Sequence, residues 1–331
     1  MYEEFYGFTE KPFTLLPDPS FLFLGKRHSA AYAMLEYGLV SQAGFTVITG
    51  EVGCGKTTLI RHLLNQLDDD VTVGLVSTSH HDMGDLLKWV LLSFGLDYRE
   101  NEKVALHDTF TQFLIDQYAQ QKRTVLIVDE AQNLQAQVLE ELRLLSNINA
   151  DKHQVLQIIL VGQPQLRDML RHEDFLQFQQ RVSVDYHLSP LTEQETRAYI
   201  YHRTRLAGRE KPLFTKGAGI LVHRASHGVP RVINTICDAA LVYGYADQKN
   251  ILDSKLIINV LEDKAEARRT PGEEASGGIQ KTVPVVLDGG QADIKRLTDT
   301  QRQSNDNADR RVTEFNRDAA KLLFKKYYHD K

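Results

Sequence analysis

Residues 50–58 read GEVGCGKTT, between the apolar FTVIT of residues 45–49 and LIRHLLNQL of residues 59–67. Gly50, four residues, then Gly55, Lys56 and Thr57 complete the G-x-x-x-x-G-K-[ST] pattern of a phosphate-binding loop. Glycines at Gly50, Gly53 and Gly55 allow the backbone to turn its N–H groups inward, and the following helix offers its N-terminal donors and positive dipole end to an anion. The context agrees, because the residues before the loop read as a buried strand, and Leu59, Leu63, Leu64 and Leu67 recur at helical spacing. The loop as a whole, Gly50, Glu51, Val52, Gly53, Cys54, Gly55, Lys56, Thr57 and Thr58, is therefore the candidate nucleotide cradle. Lys56 would reach the β and γ phosphates of ATP, and the Thr57 hydroxyl would bind Mg²⁺, an ion that keeps several waters and needs few protein ligands. Cys54 reads as a spacer rather than a redox thiol.

Outward from the loop, FTVIT, VTVGLVS (71–77), TVLIVDE (124–130) and VLQIILVG (155–162) are nearly continuous apolar runs. A parallel sheet covered on both faces requires such runs, and helical patterns such as MGDLLKWVLLSFG (83–95) and AQVLEELRLLSNI (136–148) lie between them. The fold class expected is α/β over residues 45–190. From 191 to 264 the strands stop and four helical patterns follow, the first opened by the capping box Thr192 and Glu195. Residues 1–44 are expected to hold an extended N-terminal segment, aromatic and punctuated by Pro12, Pro17 and Pro19, and then a first helix. Residues 265–331 begin with linker composition and stay polar, a flexible tail.

Composition narrows the classes. With 331 residues, 42% hydrophobic and 25% charged, the chain is an ordinary globular composition long enough for two domains. Only Cys54 and Cys237 are present, which excludes a disulfide framework or a Cys-type zinc cluster and suits a reducing, cytoplasmic setting. No apolar stretch reaches the length of about 18 residues that a membrane span needs, and MYEEFYG carries acids where a signal peptide carries lysines. Net charge is −5, but it is uneven: residues 264–331 hold 14 Lys and Arg against 11 Asp and Glu, leaving 25 against 33 before them. A body at −8 is poor material for many phosphate contacts, so DNA is not the favoured partner.

Asp129 and Glu130 end an apolar strand, where the carboxyl ends of a parallel sheet open onto the ligand crevice. Asp129 would hold Mg²⁺ through water, and Glu130 would polarise the attacking water as hydrolysis requires. Gln163 ends the next strand, as a reporter on the γ-phosphate or as a turn residue. Arg181 precedes the last strand of the α/β domain, and Arg231 opens a helix of the second domain; each is either a guanidinium for the transferring phosphoryl group or a surface ion pair. In the tail, Val312, Phe315, Ala319, Leu322 and Leu323 share one helical face, which would dock on its own body or on a partner or membrane surface.

The ordered set GEVGCGKTT, LIVDEAQ, LVGQP, QQRVS with LSPL, and GVPRVIN resembles an AAA+ ATPase. The opening FYGFTEKPFTLLPDPSFLFL, with EAQNL and LEELRLLSNI, resembles the ExeA (general secretion pathway protein A) family over about residues 1 to 264. This resemblance implies Walker A at Gly50–Thr57, Walker B at Asp129 and Glu130, sensor 1 at Gln163, an arginine finger at Arg181 and sensor 2 at Arg231. It implies a helical lid after the P-loop domain and a homo-oligomeric ring or filament with ATP and Mg²⁺ between subunits. Longer ExeA-type proteins carry a membrane segment and a peptidoglycan-binding module after the lid, features that residues 265–331 do not resemble. The expectation is thus a stand-alone assembly ATPase for envelope secretion, exopolysaccharide or pilus export, cytoplasmic and touching the inner face of the membrane through its tail. AAA+ regulators of DNA transposition look similar in their core, and a nucleic-acid-bound regulator whose ATP state controls filament formation is the alternative.

Overall fold

The apolar runs become strands, and in the central ones aliphatic and β-branched side chains on both faces find cover. In the computed structural model, which describes residues 1–78, 85–99, 102–150 and 153–266, β1 (Phe45–Gly50), β2 (Val71–Ser77), β3 (Arg123–Asp129), β6 (Leu156–Gly162) and β7 (Val182–Leu188) form one parallel sheet. Its order is β2-β3-β6-β1-β7, with a separate small hairpin of β4 (Asn149–Ala150) and β5 (His153–Gln154). Every residue of β1 and β6 is buried. Alternation within β3 decides the two cores: Leu126 and Val128 point into one cluster with Phe110 and Leu142, and Val125 and Ile127 into another with Leu35 and Leu59. The first cluster is closed by α4 (Leu86–Ser93), α5 (Lys103–Ala119), α6 (Ala136–Leu145), α7 (Pro164–Leu170) and α8 (Leu176–Gln179). The second is closed by α2 (Lys26–Val40) and α3 (Lys56–Leu64).

The helical region comprises α9 (Glu193–Leu206), α10 (Lys216–Ser226), α11 (Pro230–Ala246) and α12 (Ser254–Glu266) around Ile233, Cys237, Leu241, Leu256 and Val260. Its first helix has the capping box, with the Thr192 side chain accepting the Glu195 N–H while the Glu195 carboxylate accepts the Thr192 N–H. The opening segment joins this helical core: Tyr2, Tyr6, Phe8, Phe13 and Phe21 are all buried in it. One correction applies at its start, since Tyr2–Tyr6 form a short helix, α1, before the chain runs on without an α-helix to Lys26, with one 3-10 turn at Pro19–Phe21. The expected tail helix over 312–323 lies outside the described residues. Among those described, no helix is long and apolar enough to cross a membrane.

Sheet register places the chemistry. Thr49 stands beside Gly162, Gly50 beside Leu188, and Ser77 beside Asp129, so the carboxyl ends of the strands line up along one edge.

Candidate functional site

After β1 the chain must reverse into α3 within a few residues, and it does so through left-handed backbone at Gly53 (φ 79°) and Gly55 (φ 97°). Lys56 opens α3 and is turned back over the loop, its Nζ donating to the Gly50 carbonyl at 2.7 Å and to that of Glu51 at 3.1 Å. Its burial pushes the ammonium below the ordinary lysine value, opposed by the nearby carboxylates Glu130, Asp129 and Glu51. Cys54 is buried in the loop, and that burial lifts its thiol to about 11, which makes it inert at neutral pH and agrees with the spacer reading.

Thr57 Oγ1 donates to Asp129 Oδ2 at 3.0 Å. Burial raises the Asp129 carboxyl above the ordinary aspartate value, an effect countered by the Glu130 N–H at 2.9 Å and by the Thr57 hydroxyl. Glu130 itself has left-handed backbone (φ 56°), and Thr78 at the end of β2 places its hydroxyl 2.6 Å from the Glu130 carbonyl and 2.9 Å from that of Asp129. The Glu130 Oε2 accepts from Gln132 Nε2 at 2.7 Å and from Gln163 Nε2 at 3.3 Å. Gln163 is therefore placed against the carboxylate that sequence reasoning named as the base.

A cavity of about 360 Å³ lies over this edge. It is bounded below by Gly53, Gly55, Lys56, Thr57, Thr58 and Glu130, and above by Tyr199, Arg203, Pro230, Arg231 and Asn234 of the helical region. The side wall is the opening segment, Thr14 to Asp18 and Phe21 to Phe23, with His28 of α2. The Arg231 backbone N–H donates to the Gly53 carbonyl at 3.2 Å, so the start of α11 rests on the loop. Val52 is exposed at the cavity mouth. Arg181 is elsewhere: its Nη1 donates to Ser146 Oγ at 3.2 Å beyond α6, and it does not line the cavity.

Sequence reasoning missed several wall residues. His28 is buried, its Nε2 lies 2.9 Å from the Cys54 carbonyl, and its Nδ1 has no hydrogen-bond partner among the described residues. Arg203 crosses from α9 to the opening segment, with Nε donating to the Pro12 carbonyl at 2.5 Å and the guanidinium 4.4 Å over the Phe21 ring. Asn234 Nδ2 donates to the Thr14 carbonyl at 3.1 Å while its Oδ1 accepts from Tyr199.

The donor set fits a magnesium-bound nucleoside triphosphate. A buried ammonium, glycine-turned N–H groups at a helix start and a buried carboxylate joined to a hydroxyl are the groups that phosphate and Mg²⁺ need. Lys56 and the loop could hold the phosphates, and Thr57 with Asp129 the ion. Among the described residues no cluster of His, Cys, Asp and Glu is suited to hold a metal by itself, so the phosphates would complete any coordination.

Comparison with known proteins gives the same fold. Residues 39–170 match the family described as AAA domain. General secretion pathway protein A of Aeromonas hydrophila is 42% identical over 247 residues, 74% of this chain, and the chain spans 45% of that relative's length. Among solved structures, Cdc6p of Pyrobaculum aerophilum superposes with a TM-score of 0.58 at 14% identity, over 75% of this chain and 71% of its own. The Aeropyrum pernix ORC2 protein in its ADPNP-ADP complexes gives 0.54 at 17% identity, over 72% and 67%. At such identities these two likenesses speak for the fold alone.

Proposed function

This chain is an AAA+ P-loop protein similar over three quarters of its length to general secretion pathway protein A, and from that premise we propose that it is a Mg²⁺-dependent ATPase serving an envelope secretion or surface export system. The observation that carries the hydrolytic part is the run of contacts from Thr57 to Asp129 and on through Glu130 to Gln163, of which Thr57 and Glu130 line the cavity. Nucleotide binding alone does not need a carboxylate held by two amides beside the phosphate loop; activating water does.

Lys56 and the N–H groups of the loop bind the β and γ phosphates. Thr57 and, through water, Asp129 would hold Mg²⁺, which would offset charge on the transferring phosphoryl group. Glu130 orients and deprotonates the attacking water, Gln163 donates to that carboxylate and would report on the γ-phosphate, and Arg231 reaches the cavity from the helical lid. Arg181, which stands outside its own cavity, is assigned to the site of a neighbouring subunit in a ring or filament. Secretion components as partners, a cytoplasmic location and contact with the inner membrane face through the tail complete the reading, and the similarity to general secretion pathway protein A supports the first of these.

The test is phosphate release measured against protein concentration. Lys56→Ala should abolish nucleotide binding, Glu130→Gln should bind ATP without turnover, and specific activity should rise with concentration in a manner lost in Arg181→Ala. Concentration-independent activity that ignores Arg181→Ala would remove the shared site. ATP-dependent DNA binding that falls steeply with salt would favour a nucleic-acid-bound regulator over an export ATPase.

A further inference from the structure

Gln132 lies in the short turn Ala131–Asn133 that follows β3, and its one amide bridges two parts of the site. Nε2 donates to Glu130 Oε2 at 2.7 Å, and Oε1 accepts the backbone N–H of Gln163 at 2.9 Å. The second bond fixes the orientation of the amide. A backbone N–H can only donate, so the atom facing it is the oxygen and the NH₂ group faces the carboxylate.

Two further features show that this position is built rather than incidental. Gly162 ends β6 where an added Cβ would stand 3.0 Å from Gln132 Oε1 and 2.8 Å from Leu166 Cδ2, so the glycine leaves the room that the amide occupies. Glu130 takes left-handed backbone, a conformation that strains a side-chain-bearing residue and persists only where surrounding contacts impose it. Both amides, Gln132 and Gln163, meet the same carboxylate oxygen, Oε2, and among the described residues Oε1 accepts nothing.

We propose that Gln132 is a positioning residue that aims the Glu130 carboxylate and ties that aim to Gln163 at the end of β6. Its donor holds Oε2 and leaves Oε1 to take the proton of the attacking water. Its acceptor holds the Gln163 backbone, so any shift of Gln163 is passed through a single rigid amide to the base. The inference rests on the hydrolytic reading above and adds to it the coupling between the base and the strand end that faces the γ-phosphate.

The experiment compares steady-state ATP turnover, affinity for a non-hydrolysable ATP analogue and thermal midpoint in three variants. Gln132→Leu removes donor and acceptor together, and should lower kcat about 10- to 100-fold with KM and analogue affinity within about twofold. Gln132→Glu keeps an acceptor for the Gln163 N–H but sets a second carboxylate against Glu130. Like charges at that spacing repel, so the Glu130 carboxylate is pushed off its aim and kcat should fall below that of Gln132→Leu, with analogue affinity again retained. Gly162→Ala reaches Oε1 from the strand side without altering either partner, and should lower kcat in the same direction with analogue affinity retained. The proposal is overturned if Gln132→Leu keeps wild-type kcat. It is equally overturned if the Leu and Glu variants lose turnover and analogue affinity together with a lowered thermal midpoint, because that is a merely structural role. A wild-type protein that binds the analogue but releases no phosphate would instead remove the hydrolytic reading, and this inference with it.

Discussion

Gly53→Ala tests whether the helical lid and the phosphate loop act as one surface. A methyl at this position would stand 2.5 Å from Arg231 Cβ, 3.3 Å from Arg231 Cδ and 3.4 Å from Val229 Cγ1. The nearest of these is attached directly to the α11 backbone and cannot swing aside, so the lid must back away by about 1 Å to restore ordinary carbon contact. That retreat breaks the Arg231 N–H bond to the Gly53 carbonyl, worth about 1 kcal/mol, and the φ of 79° adds about 1 to 2 kcal/mol of strain for any residue with a Cβ. The sum, about 2 to 3 kcal/mol, corresponds to a roughly 30- to 150-fold loss in the population with lid on loop, and nucleotide enclosed between them should weaken by about that factor. Titration with a fluorescent ATP analogue measures it. The steric share is separable: Arg231→Gly removes the Cβ that is struck, so Gly53→Ala with Arg231→Gly should recover part of the affinity relative to Gly53→Ala combined with Arg231→Ala, which keeps it. An affinity loss under threefold, or one that Arg231→Gly leaves untouched, refutes the reasoning and puts the cause at the phosphate itself.

Arg203→Ala should destabilise the lid with its attached opening segment by about 3 kcal/mol in denaturant unfolding, from a charge-assisted bond to the Pro12 carbonyl and the stacking on Phe21; a loss under about 1 kcal/mol contradicts the clamp. His28 is held below its ordinary 6.5 by burial, opposed by the Cys54 carbonyl and Glu195, so the folded state keeps the ring neutral. Its contribution to stability is then fully present above about pH 6.5 and fades as pH falls, because the unfolded chain takes up the proton first. Since burial also lowers His202 and His223, the measurement is a difference: the fall in thermal midpoint from pH 7.5 to 5.5 should be shallower in His28→Asn than in the wild type, and equal slopes would remove His28 from the account. Truncation after Glu266 retains every described helix and strand, and should leave turnover near normal while abolishing co-sedimentation with membranes or partner capture; joint loss of turnover and oligomer would make the tail part of the subunit contact.

Much of the site was legible because its chemistry is local in the chain. The loop needs its glycines, lysine and threonine at fixed spacing within eight residues, and Asp129 and Glu130 announce themselves by ending an apolar run. The central strands β1, β3 and β6 were legible for a related reason, since burial on both faces leaves an uninterrupted apolar signature. Where the signature is mixed, the pattern is harder to read. Helix α5 buries Leu106, Phe110 and Leu114 at fourfold spacing, but Val104, Ile115 and Tyr118 are exposed on its other faces and blur the stripe.

What remained hidden depends on contacts between distant segments. Arg203 sits in the polar run EQETRAYIYHRTRL and reads as a surface residue, yet it is buried because a segment nearly two hundred positions earlier supplies the Pro12 carbonyl and the Phe21 ring. The same distance concealed which domain the aromatic opening would pack on: Phe8, Phe13 and Phe21 could be recognised as buried, but only the fold assigns them to the helical core and so makes the cavity wall partly a product of the N-terminus. Gln132 was hidden for a third reason. A polar residue two positions after Glu130 carries no periodic signal, and its value arises only because the parallel pairing of β3 with β6 delivers the Gln163 N–H to its oxygen while Gly162 clears the space between. Spacing thus identifies the groups that meet phosphate, whereas the groups that aim them are set by strand register, and register is a property of two segments at once.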